Sequence, residues 1–171
     1  KLFKVQPILS MNPEEEINEE NQVLVTVSSF LPEAGRAQSL YSQLSDLYCS
    51  NRSKNVRVLM LFDLKPYKEM TAPSDEKDIT AVKRVIDRLN NDFGGGFVMA
   101  VRHRVYSSGE KEYTGFERKR GAIIALVKLL RYEDSGEFLC VYGDTSGLHE
   151  AKYLMALDSD TSLSFDVLKK L

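Results

Sequence analysis

The chain has 171 residues, 43% of them hydrophobic and 28% charged, with a net charge of −2. That length suits one domain with a substantial core and is too short for two, and the composition excludes wholesale disorder. The near-neutral charge argues against nucleic acid as a partner. It argues equally against nonspecific attraction to an anionic membrane.

No apolar run reaches the roughly 18–20 residues of a membrane span, so this chain is expected to be soluble and not membrane-inserted. Cys49 and Cys140 offer neither a disulfide framework nor clustered metal ligands. They read as small packing residues in a reducing compartment.

Residues 1–22 are acidic, end in EEEINEEN and contain Pro7 and Pro13. They are expected to form a lead-in arm, with the domain proper at 23–171. VLVTV, residues 23–27, is a β-branched run of the kind buried on both faces of a parallel sheet. From about Glu33 to Cys49 the apolar residues Ala37, Leu40, Leu44 and Leu47 recur at helical spacing, with Pro32 beside the start. The polar turn NRSKN leads into a second buried strand, VRVLMLF at 56–62, followed by Asp63. This is strand, helix, strand with a crossover of the required length.

After a loop from about Lys65 to Ser74, with Asp75 near the helix start, Ile79, Val82, Ile86, Leu89 and Phe93 place one helix face inward. GGG at 94–96 then ends that helix before a strand, FVMAV at 97–101. A phosphate cradle needs strand, glycines, helix in that order, so these glycines read as a helix cap and turn. VYSSGEKEYTG is hairpin-like; Ala122–Arg131 predicts a helix with Ile123, Val127 and Leu130 inward; EFLCVY at 137–142 and KYLMAL at 152–157 predict further strands. The alternation indicates an α/β fold with a mostly parallel sheet.

Ligands bind outside the carboxyl ends of such strands. Ser28 and Ser29, Asp63, and Asp158 with Asp160 stand at three such ends. The last two carboxylates read either as hard-oxygen ligands for magnesium or manganese, completed by a diphosphate, or as turn and cap chemistry. GFERKRG, at 115–121, sets Arg118, Lys119 and Arg120 at a helix start. It reads as a pyrophosphate cradle or as a solvated charge cluster. From Arg102 to Arg131 there are eight Lys or Arg against three acids, and from Tyr132 to Asp160 seven acids against one Lys. A phosphate-plus-metal site needs such a juxtaposition, though ordinary surface charge also produces it. His103 and His149 do not suggest a ligand pair, and no glycine elbow marks Ser28 or Ser29 as a hydrolase nucleophile. The Tyr and Phe residues are expected mostly on core faces.

YTGFERKRGAIIALVKLLR, followed some twenty residues later by AKYLMALDSDTSL, resembles the glycosyltransferase segment of the cyclic β-1,2-glucan synthases. There a GWERKRG-like run precedes a YVITLDADT-like strand, and the similarity runs from VLVTVSSF to the chain end. The resemblance implies a GT-A-like, Rossmann-like nucleotide-diphospho-sugar transferase fold truncated at its C-terminus. It also implies transfer of glucose from UDP-glucose, with inversion, to a glucan acceptor. By position Asp63 matches an acidic residue near the nucleoside, Arg118 and Lys119 the diphosphate side, Asp158 and Asp160 the metal pair holding Mg2+ or Mn2+. Ser28 matches only the polar end of the first strand.

This chain departs from the family in lacking tryptophan, with Tyr113 and Phe116 before ERKRG, and in reading GAIIALV where GKLxELN is usual. The resemblance further implies a parent at the cytoplasmic face of the bacterial inner membrane, a catalytic base beyond residue 171, and a fragment inactive by itself. The competing expectation is a noncatalytic α/β interaction or regulatory module that keeps the scaffold.

Overall fold

The computed structural model describes residues 17–161 and 163–170. The β-branched and apolar runs form a five-stranded sheet from β1 (Val23–Phe30), β2 (Val56–Asp63), β3 (Phe97–Arg102), β6 (Phe138–Gly143) and β7 (Tyr153–Asp158), in the order β6-β3-β2-β1-β7. A small hairpin, β4 (Val105–Ser107) with β5 (Glu112–Thr114), stands apart. β1 is parallel to both β2 and β7, and β2 to β3, whereas β6 runs antiparallel to β3. An apolar run carries no sign of its direction, so the reversal of β6 is visible only in its pairing.

Helices cover both faces of the sheet. α1 (Ser39–Ser50) and α2 (Asp75–Phe93) bury Leu40, Leu44, Val82, Ile86 and Leu89 against Val25, Val58, Met60 and Met99. On the other face α3 (Arg118–Tyr132) packs Ala122, Ala125, Leu126 and Leu129 on Leu24, Leu59, Leu61, Val98 and Ala100. Strand side chains alternate between faces, which is why even positions of β1 meet α3 and odd ones meet α1 and α2. Each fully buried Leu, Ile or Phe contributes roughly 1.5–3 kcal/mol.

Several expectations change. The segment expected to be helical from Glu33 begins as a short 3-10 turn, Ala34–Arg36, before α1. α3 starts four residues earlier than its apolar spacing suggests and turns a different face inward: Val127 is exposed, and Ile123 and Leu130 are only half-buried. The small Ala122 and Ala125 let it lie close to the sheet, and they, not the larger β-branched residues, set its rotation. Cys49 is exposed rather than packed, Cys140 is half-buried, and both are free thiols.

Residues 1–16 of the expected arm, with Pro7 and Pro13, lie outside the described residues. Its end is docked, because Ile17 is buried in the core and its carbonyl accepts Asn55 Nδ2 at 2.6 Å. GGG behaves as expected. Gly94 caps α2 with φ of 81°, a left-handed conformation that glycine adopts without strain, its N–H donating to Asn90 O.

The loop between β2 and α2 is held by Arg104. Its buried guanidinium donates to both Asp75 oxygens, at 2.6 and 2.9 Å, and to the carbonyls of Lys65 and Met70. Burial pushes the Asp75 carboxyl up, but the Arg104 hydrogen bonds, the Ala72 N–H and the Arg104 charge together hold it below its ordinary value. A lowered carboxyl contributes stability above its unfolded-state value and loses it as pH falls through the folded one.

Removing one partner of such a pair leaves a buried charge alone. Arg104→Ala should therefore cost about 3–5 kcal/mol in urea denaturation. Asp75→Asn should also flatten the loss of thermal stability that the wild-type chain shows below about pH 4.

Candidate functional site

Strand order reverses at β1, with β2 and β3 to one side and β7 to the other. The crevice outside the carboxyl ends of β1 and β7 is therefore a topological switch point, where open α/β sheets bind ligands. On the α3 face the apolar rows of the sheet end there in polar residues. Ser28 of β1 lies in register with Asp158 of β7, and Asp63 of β2 with Arg102 of β3.

A cleft of about 330 Å³ opens at this point, walled by Ser28, Ser29 and Asp63 on one side, Asp158 and Ser159 on another, and Arg118, Lys119 and Ala122 from α3. Five of the six residues matched through the resemblance, Ser28, Asp63, Arg118, Lys119 and Asp158, thus share one cavity. The sixth, Asp160, is exposed just beyond it and does not line the cavity.

Asp63 is not a free carboxylate. The buried Arg102 guanidinium grips both its oxygens, Nε to Oδ1 at 2.7 Å and Nη2 to Oδ2 at 3.0 Å. The same fork donates to the carbonyls of Phe116, at 3.1 Å, and Arg118, at 2.9 Å. Those carbonyls belong to the turn that enters α3, where Glu117 and Arg118 hold positive φ of 51° and 46°. Two consecutive non-glycine residues in the left-handed region are strained, and persist only where surrounding contacts fix them. Gly121 is the second fixing element. A Cβ there would stand 2.0 Å from Phe116 O, so only glycine lets the turn fold back on the helix.

The clamp fixes the first turn of α3, where the Arg118 N–H donates to Gly115 O at 3.2 Å, and so places Lys119 in the cleft wall. Lys119 Nζ meets Asp158 Oδ1 at 2.5 Å across the cavity. Arg118 turns toward the hairpin, Nη2 to Glu110 Oε1 at 2.9 Å. The Asp158–Thr161 segment is a turn, its Thr161 N–H donating to Asp158 O and its Ser159 carbonyl accepting Gln43 Nε2. Turn chemistry and exposed carboxylates therefore coexist in DSDT, residues 158–161.

Ser28 Oγ is shielded from solvent yet has no hydrogen-bond partner among the described residues, and the same holds for Thr26 Oγ1 below it on the same face. A buried hydroxyl without a partner is uncommon, and this one stands in the cleft wall.

Among the described residues no three His, Cys, Asp or Glu side chains converge as metal ligands. The donor set at Asp158 and Asp160 accordingly fits a hard divalent cation only in part. Two carboxylates would supply some of its oxygens and a bound diphosphate the rest.

Arg102 escaped notice in the sequence except as a unit of charge. The signal available was its place, an arginine closing an otherwise apolar strand, FVMAVRHR, where a charge must find a buried partner. Several aromatic rings expected in the core are instead exposed, Phe30, Tyr106 and Phe116 around this end of the sheet among them.

No family model matches the chain. It is 30% identical over 159 residues to the cyclic β-(1,2)-glucan synthase NdvB of Rhizobium meliloti. The matched region covers 91% of this chain but only 6% of that protein. Among the described residues no helix is long and apolar enough to cross a membrane. The chain is therefore, over nearly its whole length, a relative of one small segment of a cyclic β-(1,2)-glucan synthase.

Proposed function

We propose that the switch-point cleft binds the nucleotide diphosphate of a sugar donor, UDP-glucose, as the donor-binding part of a GT-A-like glycosyltransferase. In the parent protein the glucose would be transferred with inversion to a growing cyclic β-1,2-glucan. One observation carries this reading: cations at the start of α3 and a carboxylate at the end of β7 face each other across a single cavity.

The residues divide the work by charge. Lys119, together with the backbone N–H groups that follow Arg118 at the start of α3, would take the phosphate oxygens. Lys119 leaves Asp158 to do so, and Asp158 is then free to share a divalent cation, Mg2+ or Mn2+, with Asp160 and the diphosphate. Such a cation supplies positive charge where negative charge develops on departing UDP. Arg118 borders the same cavity on the hairpin side. Asp63, fixed in orientation by Arg102, offers remaining carboxylate lone pairs to a nucleoside N–H.

Inverting transfer also needs a base for the acceptor hydroxyl. Of the two carboxylates lining the cleft, Asp63 is bonded to Arg102 and Asp158 would be engaged with the cation, so neither is set up for that task. The base is assigned to another part of the parent, and the isolated chain is expected to bind donor without transferring glucose.

Titrating the labelled chain with UDP and Mn2+ should move the amide signals of Ser28, Lys119 and Asp158 together, with little response to UDP when the cation is chelated. A charge-assisted contact contributes about 1.5–3 kcal/mol, so Asp158→Asn should weaken UDP binding roughly 10- to 100-fold. No metal-dependent response at these residues would overturn the reading.

The clamp gives a separate expectation. Arg102→Lys keeps the charge but loses the fork that reaches four oxygens at once. Amide exchange should accelerate at residues 116–120, and UDP affinity should drop, while the strand amides of β1 and β2 keep their protection.

A further inference from the structure

A second cleft, of about 520 Å³, lies between the β4–β5 hairpin and the Phe116–Arg118 turn, and Arg118 lines both cavities. We propose that this cleft binds a neutral oligosaccharide, with Tyr106 and Phe116 as ring surfaces and Glu110, Glu117 and Thr114 as hydroxyl partners.

The volume falls in the roughly 300–1,000 Å³ range typical of ligand sites. Its lining is unusual for exposed surface, because Tyr106 and Phe116 are 59% and 61% exposed on the same cavity. Leaving two rings in water forgoes the burial that the core grants Phe62 and Phe97. A pyranose ring matches such a surface. Its faces present C–H groups that pack on an aromatic ring, while its hydroxyls both donate and accept around the rim.

Charge separates this ligand from an anion. The Glu110 carboxylate is paired with Arg118 at 2.9 Å, and Glu117 lies 3.8 Å from Arg120. Each lining carboxylate thus faces an arginine, and the lining itself holds two acids to one cation, which does not favour a phosphate or an acidic peptide. Carboxylate oxygens in such pairs still have lone pairs to accept from hydroxyls.

The rings stand on a fixed frame. Tyr67 and Tyr113 exchange backbone hydrogen bonds at 3.0 and 2.8 Å, tying the hairpin to the loop after β2. Tyr106 packs edge-on against Tyr113, with ring centroids 5.3 Å apart, and Phe116 O is held by Arg102. Ordering these surfaces on binding would therefore cost little.

The inference deepens the donor reading by giving the glucan acceptor a place, and it rests on that reading only for the identity of the sugar. Because Arg118 borders both cavities, a saccharide here would lie next to a bound donor.

The test is a pair of amide-shift titrations of the 171-residue chain, one with a β-1,2-linked glucotriose at millimolar concentration and one with UDP and Mn2+. The trisaccharide should shift signals confined to residues 105–118. Tyr106→Ala and Phe116→Leu, which remove a ring while Leu keeps apolar bulk, should each weaken that response at least tenfold. The UDP response at Ser28 and Asp158 should survive Tyr106→Ala, which also shows that this variant is folded. No trisaccharide response at 105–118, or one unchanged in both variants, overturns the inference. If UDP still binds, the donor reading stands without it; if the trisaccharide binds and UDP does not, the inference stands and the donor reading falls.

Discussion

The Arg102 guanidinium, 2% exposed, bonds two oxygens of Asp63 and the backbone carbonyls of Phe116 and Arg118. Through those four acceptors one side chain joins β2, β3 and the entry to α3. Burying an ion pair gains little net stability, and an apolar pair of the same shape often does as well. What an apolar pair could not do is hold two consecutive residues at positive φ, or turn a carboxylate toward a cleft. The clamp is better understood as a positioning device whose energetic return is the order it imposes on the site.

The same logic explains which parts of the molecule could be read from sequence. The sheet and α2 were legible because the strands are continuous apolar runs, α2 has a strong helical period, and Asp63 and GGG mark their ends. Strand-end polar residues converge because the parallel strands β1, β2, β3 and β7 put their carboxyl ends at one edge, so fold class alone foretold much of the cleft. α3 was misjudged by four residues at its start and by its inward face. Its first turn is set by Arg102 and by the contact of Gly121 with Phe116, neither of which leaves a period in the chain. Antiparallel β6 and the docked Ile17 are likewise tertiary facts. The expectation that Tyr and Phe lie mostly on core faces did not foresee the exposed rings of Tyr106 and Phe116, because the hairpin and turn that carry them have no apolar period to show which side meets solvent.

Arg104 repeats the design of Arg102 two residues on, gripping Asp75 and the loop carbonyls of Lys65 and Met70. Between them the two arginines fix both irregular segments that rise above the sheet. One frames the switch-point cleft and the other steadies the loop whose Tyr67 anchors the hairpin. The alternation of RHR off the end of β3 thus sends neighbouring forks to different loops, with the intervening His103 side chain exposed. Two adjacent clefts can then share a wall without either depending on a flexible element.

Across the first cleft the Lys119–Asp158 pair joins groups whose side chains are 43% and 64% exposed. Exposed pairs of this kind contribute about 0–1 kcal/mol. Breaking one is consequently inexpensive, in contrast to the clamps on either side. A diphosphate arriving with a divalent cation would offer each partner a stronger opposite charge than the other now provides, since phosphate oxygens and a cation are more concentrated charges than ammonium and carboxylate. The site therefore combines buried arginine pairs that resist exchange with one solvent-facing pair that yields to it. That division lets the scaffold stay in register while the charges that meet the ligand change partners.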